Sequence, residues 1–193
     1  MNKQERINWI IQQHRDTNHM YDEYLPYEFH LKIVVEVFKK FKYILPKNLF
    51  TTPPYLSIMT PPYDYTDYTE LVIEFACWGH DGIEDARLTY NDVKEKFGKD
   101  AAEIIRAVTN YSRGRDRNER MPDFVYEDIR NTPGATFVKL CDRIANVQYG
   151  KMMGSGMYKK YQKENEHFLT KLEVINMDTI YNKMVQYLNN LLK

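Results

Sequence analysis

Four side chains capable of metal and acid–base chemistry lie close together in one run, ELVIEFACWGHDGIED: His80, Asp81, Glu84 and Asp85. The run opens at Glu70 as an apolar stretch and ends on the acids. An apolar helix that ends in a histidine and several carboxylates must bury charge. Leaving one carboxylate buried and unpaired costs on the order of several kcal/mol, so a cation is the natural partner. His80 and Glu84 are four apart, as are Asp81 and Asp85. If helical geometry persists through the turn, each pair shares a face. A mixed nitrogen and oxygen donor set suits Mn, Fe, Zn or Co better than Ca. The dipeptide alone also fits a satisfied helix-end histidine beside a solvated aspartate.

Two distant residues carry the same chemistry. His30 opens an amphipathic segment, and Asp142 sits among apolar neighbours in VKLCDRIAN. An acid flanked by Leu140, Cys141, Ile144 and Ala145 wants a counter-charge, from Arg143, Lys139 or a metal. Asn146, four residues on, faces the same way and could hold a substrate hydroxyl or be plain polar surface.

The elements that must position these residues are helices. Residues 3–15 place Ile7, Ile10 and Ile11 on one side, and 27–43 repeat Phe29, Ile33, Val34, Val37, Phe38 and Phe41 at helical spacing up to Pro46. The opening run spans about 66–79. Thr89 with Asp92 three on predicts an N-cap, and Gly98 closes that short helix. Further helices are expected over 100–111 and 123–131. Thr132-Pro133 predicts the start of another, running to Tyr149. Gly150–Gly156 reads as a mobile link, and 157–173 and 178–192 as the last helices. No segment alternates apolar and polar residues, so the fold class is all-α, in one domain over 1–193. Lys47–Tyr68, with Pro53, Pro54, Pro61 and Pro62, reads as an insertion loop, either packing its tyrosines on the surface or serving as a lid.

The 193 residues carry 27 basic and 27 acidic side chains, so no global field draws the chain to nucleic acid or an anionic membrane; any anion site must be local. No apolar run reaches the length of a membrane span, and the N-terminal MNKQERINW lacks a signal-peptide core. Cys77 and Cys141 fall in apolar helical patterns and are expected to be reduced, buried thiols of a cytoplasmic protein.

His30, then His80-Asp81, then Asp142 resembles the H…HD…D pattern of the HD phosphohydrolase superfamily. HDGIEDARLTYNDVKEKFGKDAAEIIRAVTN is similar to the corresponding segment of the RelA/SpoT-type guanosine tetraphosphate (ppGpp) hydrolases, and NTPGATFVKLCDRIANV to their PGA…VKLADR…N stretch. His14-Arg15 and Pro26-Tyr27 with His30 resemble their H-R…PY-x-x-H segment. Together these cover about residues 8–170, in the shape of a stand-alone small alarmone hydrolase. The resemblance implies that His30, His80, Asp81 and Asp142 bind one divalent metal, typically Mn²⁺, and that Glu84 and Asp85 position and activate the attacking water. It implies Asn146 at the ribose and Tyr161 at the ribose or phosphate. The reaction would release pyrophosphate from the 3′ position of ppGpp, a small phosphorylated nucleotide. The alternatives on the same machinery are a nucleotidase or NADPH 2′-phosphatase, or a nucleotide sensor whose chemistry has lapsed.

The departures fall on nucleotide recognition. His19 and Met20 stand where the family has an Arg-Lys pair that holds guanine and phosphates. His19 and Arg143 are expected on the substrate side. Val147, Gln148 and Tyr149 follow Asn146 where the family often has an arginine, and the 47–68 insertion has no counterpart of that length. Arg113, Arg115, Arg117 and Arg120 could supply phosphate contacts or form a solvated loop with Asp116 and Glu119. Trp9 and Trp78 are expected in the core and His167 on the surface.

Overall fold

The computed structural model describes residues 1–51, 68–110, 121–175 and 179–193. Most of the insertion (52–67) and the arginine loop thus lie outside the described residues. Among the described residues the fold consists of nine α-helices and a 3₁₀ turn at Lys42–Ile44, with no strand beyond an isolated Met20–Pro26 bridge. The helices are α1 (Lys3–Asp16), α2 (Glu28–Phe41), α3 (Tyr68–Gly79), α4 (Tyr90–Phe97), α5 (Lys99–Val108), α6 (Asp123–Asn131), α7 (Ala135–Met152), α8 (Gly156–Lys171) and α9 (Asn182–Leu191). The all-α expectation holds. None of these helices is long and apolar enough to cross a membrane.

Local signals start the helices where side chains can take up free backbone groups. Asn2 and Glu5 form a reciprocal capping box on α1, and Thr89 with Asp92 forms another on α4. Packing then sets the hierarchy. α3 is apolar nearly all round, burying Val72, Ile73, Phe75, Ala76, Cys77 and Trp78, and it packs on α1, α2, α4, α5 and α7. α7 is the second internal helix, in contact with α2, α3, α5, α6, α8 and α9. Each fully buried Ile, Leu or Phe along these two helices contributes roughly 1.5–3 kcal/mol. At the C-terminus of α3, Gly79 allows close approach: a Cβ there would come within 2.6 Å of Ile105 Cδ1 and 2.9 Å of Phe97 Cε2.

Three boundaries differ from the sequence reading. α7 starts at Ala135 rather than at Pro133, because Gly134 takes a left-handed backbone (φ +82°) as N-cap. A Cβ at Gly134 would lie 2.4 Å from Ile73 Cδ1, so the chain turns where α7 meets α3. The expected mobile link at 150–156 is instead a tight turn. α7 runs on to Met152, the Ser155 N–H donates to the Gly150 carbonyl at 3.0 Å, and α8 begins at Gly156. The last helix begins at Asn182, later than expected. Trp78 is buried and His167 exposed, as the sequence predicts, whereas Trp9 is only half-buried and packs edge-on against Phe97 at the margin of the core.

Candidate metal centre and cleft

Each of the three mutually packed helices α2, α3 and α7 brings ligand atoms to one point. His30 projects from the first turn of α2, His80 and Asp81 follow the end of α3, and Asp142 lies in the middle of α7. The turn after α3 keeps helical hydrogen bonding. The Asp85 N–H donates to the Asp81 carbonyl at 2.8 Å and Ala86 to Gly82 at 3.2 Å, so the four-residue spacing puts Glu84 and Asp85 beside the ligands.

The donor atoms converge. The Nε2 atoms of His30 and His80 are 3.2 Å apart. Asp81 Oδ2 lies 2.8 Å from His80 Nε2 and 3.5 Å from His30 Nε2. Asp142 Oδ1 lies 3.4 Å from His30 Nε2 and 3.8 Å from His80 Nε2. His30, His80 and Asp142 form a group that can hold a metal ion, and Asp81 Oδ2 borders both imidazoles. Both histidines are buried, while the two aspartate side chains are 17% exposed. Burial works to raise both carboxyls, but His30 and His80 beside them override it and hold them well below the usual carboxylate range. Two imidazole nitrogens at 3.2 Å cannot both present bare lone pairs to each other; the pair needs a proton or a cation between.

The surrounding bonds favour the cation. His80 Nδ1 is 2.9 Å from the Cys77 carbonyl, which can only accept. That contact puts the proton on Nδ1 and leaves Nε2 free to ligate, the usual orientation of a metal-binding histidine. Tyr27 donates its hydroxyl to Asp81 Oδ2. Asn146 donates its amide to Asp142 Oδ1 while its own oxygen accepts from the Tyr21 hydroxyl at 3.0 Å. The residues present therefore fit a divalent ion of mixed nitrogen and oxygen ligation.

Around this centre opens a cleft of about 270 Å³. Its walls include Tyr27, Glu84, Asp85, Asn110, Lys139, Asn146, Lys160 and Tyr161 besides the candidate ligands His30, Asp81 and Asp142. Burial and the neighbouring Asp81 raise Glu84. Burial, Asp81 and Glu84 push Asp85 up to about 7. Both stand at the edge of the centre with a proton affinity above that of an ordinary carboxylate. Glu84 also accepts the Asn110 N–H at 3.2 Å, which fixes its direction.

Of the substrate-side residues expected from the sequence, Asn146 and Tyr161 line the cleft. Arg143 and His19 do not. Arg143 is buried, with its guanidinium 4.7 Å from the centre of the Tyr161 ring and 4.0 Å from that of Phe168, so it backs the wall instead of facing the ligand. His19 stacks on Tyr27 at 3.8 Å between ring centres and stands 4.0 Å from Asp85. The two residues differ from the expectation for separate reasons. Arg143, next to Asp142 in α7, is turned toward Tyr161 and Phe168 of α8, and His19, in the connector between α1 and α2, is held by its stack on Tyr27. The sequence reading gave no site role to Tyr21, Tyr27, Asn110 or Lys160. Tyr27 stood in the quoted Pro26-Tyr27 motif, and Lys160 directly precedes Tyr161; these were the available signals.

No protein-family model matches the chain. Its sequence is similar to guanosine-3′,5′-bis(diphosphate) 3′-pyrophosphohydrolases. The Aquifex aeolicus protein is 29% identical over 87 residues, 44% of this chain and 12% of that one. The Mus musculus protein is 30% identical over 80 residues, 42% of this chain and 44% of that one. The match thus spans less than half the length of either relative. In structure, the chain superposes with a TM-score of 0.62 on a protein described as a metazoan ortholog of SpoT that hydrolyzes ppGpp. The match covers 97% of this chain and 92% of that one at 19% sequence identity, which establishes a shared all-α fold.

Proposed function

We propose that this chain, a relative of the ppGpp 3′-pyrophosphohydrolases, is a metal-dependent HD phosphohydrolase that removes the 3′-diphosphate of (p)ppGpp. The observation that carries the reading is the convergence of His30, His80, Asp81 and Asp142 at the edge of a cleft that also holds Glu84 and Asp85. Mn²⁺ suits the donor set, although other divalent transition metals share that preference. When bound, such an ion lowers the pKa of water and offsets phosphate charge.

The chain's own residues do the rest. His30, His80, Asp81 and Asp142 provide the ligand atoms, and Tyr27 and Asn146 hold the two carboxylates in place. Glu84 and Asp85 are placed to accept the proton of the attacking water; both are raised above the usual carboxylate range, and Asp85, at about 7, suits a base near neutral pH. The water oxygen bonds to the phosphorus next to the ribose O3′, the P–O3′ bond breaks, and the proton taken from the water is passed to the leaving O3′, so that pyrophosphate and a ribose hydroxyl result. Asn146 and Tyr161 line the path of the ribose. The free, buried Cys77 and Cys141 suit a reducing compartment such as the cytoplasm.

His19 and Met20, in place of the family's Arg-Lys pair, keep NADPH and other nucleotides in the test. The purified protein is analysed for bound metal and assayed with Mn²⁺ on ppGpp, NADPH and nucleoside mono- and triphosphates. Pyrophosphate release from ppGpp, lost in Asp81→Ala, is the expected result. Phosphate release from NADPH alone would favour the 2′-phosphatase, and binding without turnover a lapsed sensor. Turnover that survives Asp81→Ala would sink the assignment of the centre.

A further inference from the structure

The first turns of α8 lie against the cleft. Met157, Lys160 and Tyr161 follow the three-and-four spacing that puts side chains on one helical face, and all three line the cavity. This wall is firm. Arg143 and Phe168 stack behind Tyr161, and Lys160 Nζ stands 3.8 Å from Glu164 Oε1, one turn on. The Lys160 side chain is 42% exposed, so its ammonium can still reach a ligand.

Charge shows what this lysine is for. Among the described residues lining the cleft, four carboxylates (Asp81, Glu84, Asp85 and Asp142) face two ammonium groups. Lys139 is already engaged, 3.7 Å from Asp142 Oδ2 and donating to the Val108 carbonyl at 3.3 Å. A divalent ion offsets two negative charges and no more. With all four carboxylates ionised, the described lining of the cleft then has no excess of positive charge with which to receive a polyanion. Lys160 is the cation on the wall that α8 contributes, apart from the helices that bear the ligands.

We propose that Lys160 is a phosphate-binding residue of this cleft and that it favours ligands carrying a diphosphate over those carrying a single phosphate. The proposal rests on the reading of the cleft as a phosphohydrolase site. An ammonium–phosphate contact of this charge-assisted kind is worth about tenfold to a hundredfold in affinity.

The test is binding of inorganic pyrophosphate and inorganic phosphate to the Mn²⁺-loaded protein, by calorimetry with Mn²⁺ in excess. The variants are Lys160→Met, Lys160→Arg and Lys159→Met; Lys159 is exposed and outside the cleft wall. Lys160→Met should weaken pyrophosphate at least about tenfold and phosphate by about threefold or less, and Lys160→Arg should recover most of the loss. Lys159→Met makes the same change in net charge and should stay within about twofold of the parent. On ppGpp, Lys160→Met should raise KM by a similar factor and lower kcat much less. Pyrophosphate binding by Lys160→Met within twofold of the parent, an equal loss in Lys159→Met, or no pyrophosphate binding by the parent would each overturn the proposal. If Lys160→Met weakens pyrophosphate as expected but the parent hydrolyses no nucleotide, the subsite stands and the hydrolase reading falls.

Discussion

Asp81 shows how much one carboxylate can be asked to do. Its Oδ2 accepts from the Tyr27 hydroxyl and stands beside the Nε2 atoms of both histidines. The candidate ligands were legible in the sequence as candidates, since histidines and aspartates in an ordered pattern carry their chemistry in their names. Their supports were not. Tyr21 reaches Asn146 across 125 positions and Tyr27 reaches Asp81 across 54, and no local pattern encodes such pairings. The same tyrosine stacks on His14, which is buried, and whose Nε2 meets no hydrogen-bond partner among the described residues. Burial lowers the His14 pKa from 6.5 to about 4. The unfolded chain therefore takes up a proton on this residue as pH falls through 6.5, while the folded protein refuses it until about pH 4. Stability contributed by neutral His14 is complete above pH 6.5 and is lost progressively down to about pH 4, by about 3 kcal/mol in all. Urea unfolding of the parent and of His14→Gln between pH 7 and pH 4 checks this: the parent should fall more steeply. Parallel pH profiles would show that His14 does not titrate as described.

Among the elements, α7 separates what a local signal can tell from what it cannot. Thr132-Pro133 is a sound helix start by local rules, yet the helix begins two residues after Pro133. The cause is tertiary. Gly134 lies against Ile73 of α3, and only a glycine fits there with positive φ. By contrast α4, whose Thr89 cap depends on residues three apart, was placed by its sequence alone. Gly134 and Gly154 make a matched pair for measurement. Both have positive φ, but a Cβ on Gly154 would meet nothing within 4 Å. Gly154→Ala should therefore cost about 1 kcal/mol, for the backbone alone. Gly134→Ala adds the overlap with Ile73 and should cost about 2–4 kcal/mol. Denaturant midpoints of the two variants decide; equal losses would mean that the α3–α7 approach is not tight.

For the whole molecule, helical class and the apolar α3 were readable from periodicity, but the joining of α2, α3 and α7 at one point was not, because their ligands are dispersed along the chain. That dispersal links metal binding to folding. The unfolded chain cannot assemble the four proposed ligands, so an ion that binds only the folded protein would stabilise it by about 4 kcal/mol at a thousand times its dissociation constant. Thermal unfolding with increasing Mn²⁺ should show a rising midpoint, reversed by a chelator and nearly absent in Asp142→Asn. An equal rise in Asp142→Asn would place the ion elsewhere.

The separation of the ligands also bears on time. His30, His80 and Asp142 come together only once α2, α3 and α7 have docked, so the complete donor set forms no earlier than that docking. Interactions absent from the folding transition state leave the folding rate nearly untouched and act on the way out. An ion in this centre would work as a latch, closing on a chain already folded and lengthening the life of the folded state without hastening its arrival.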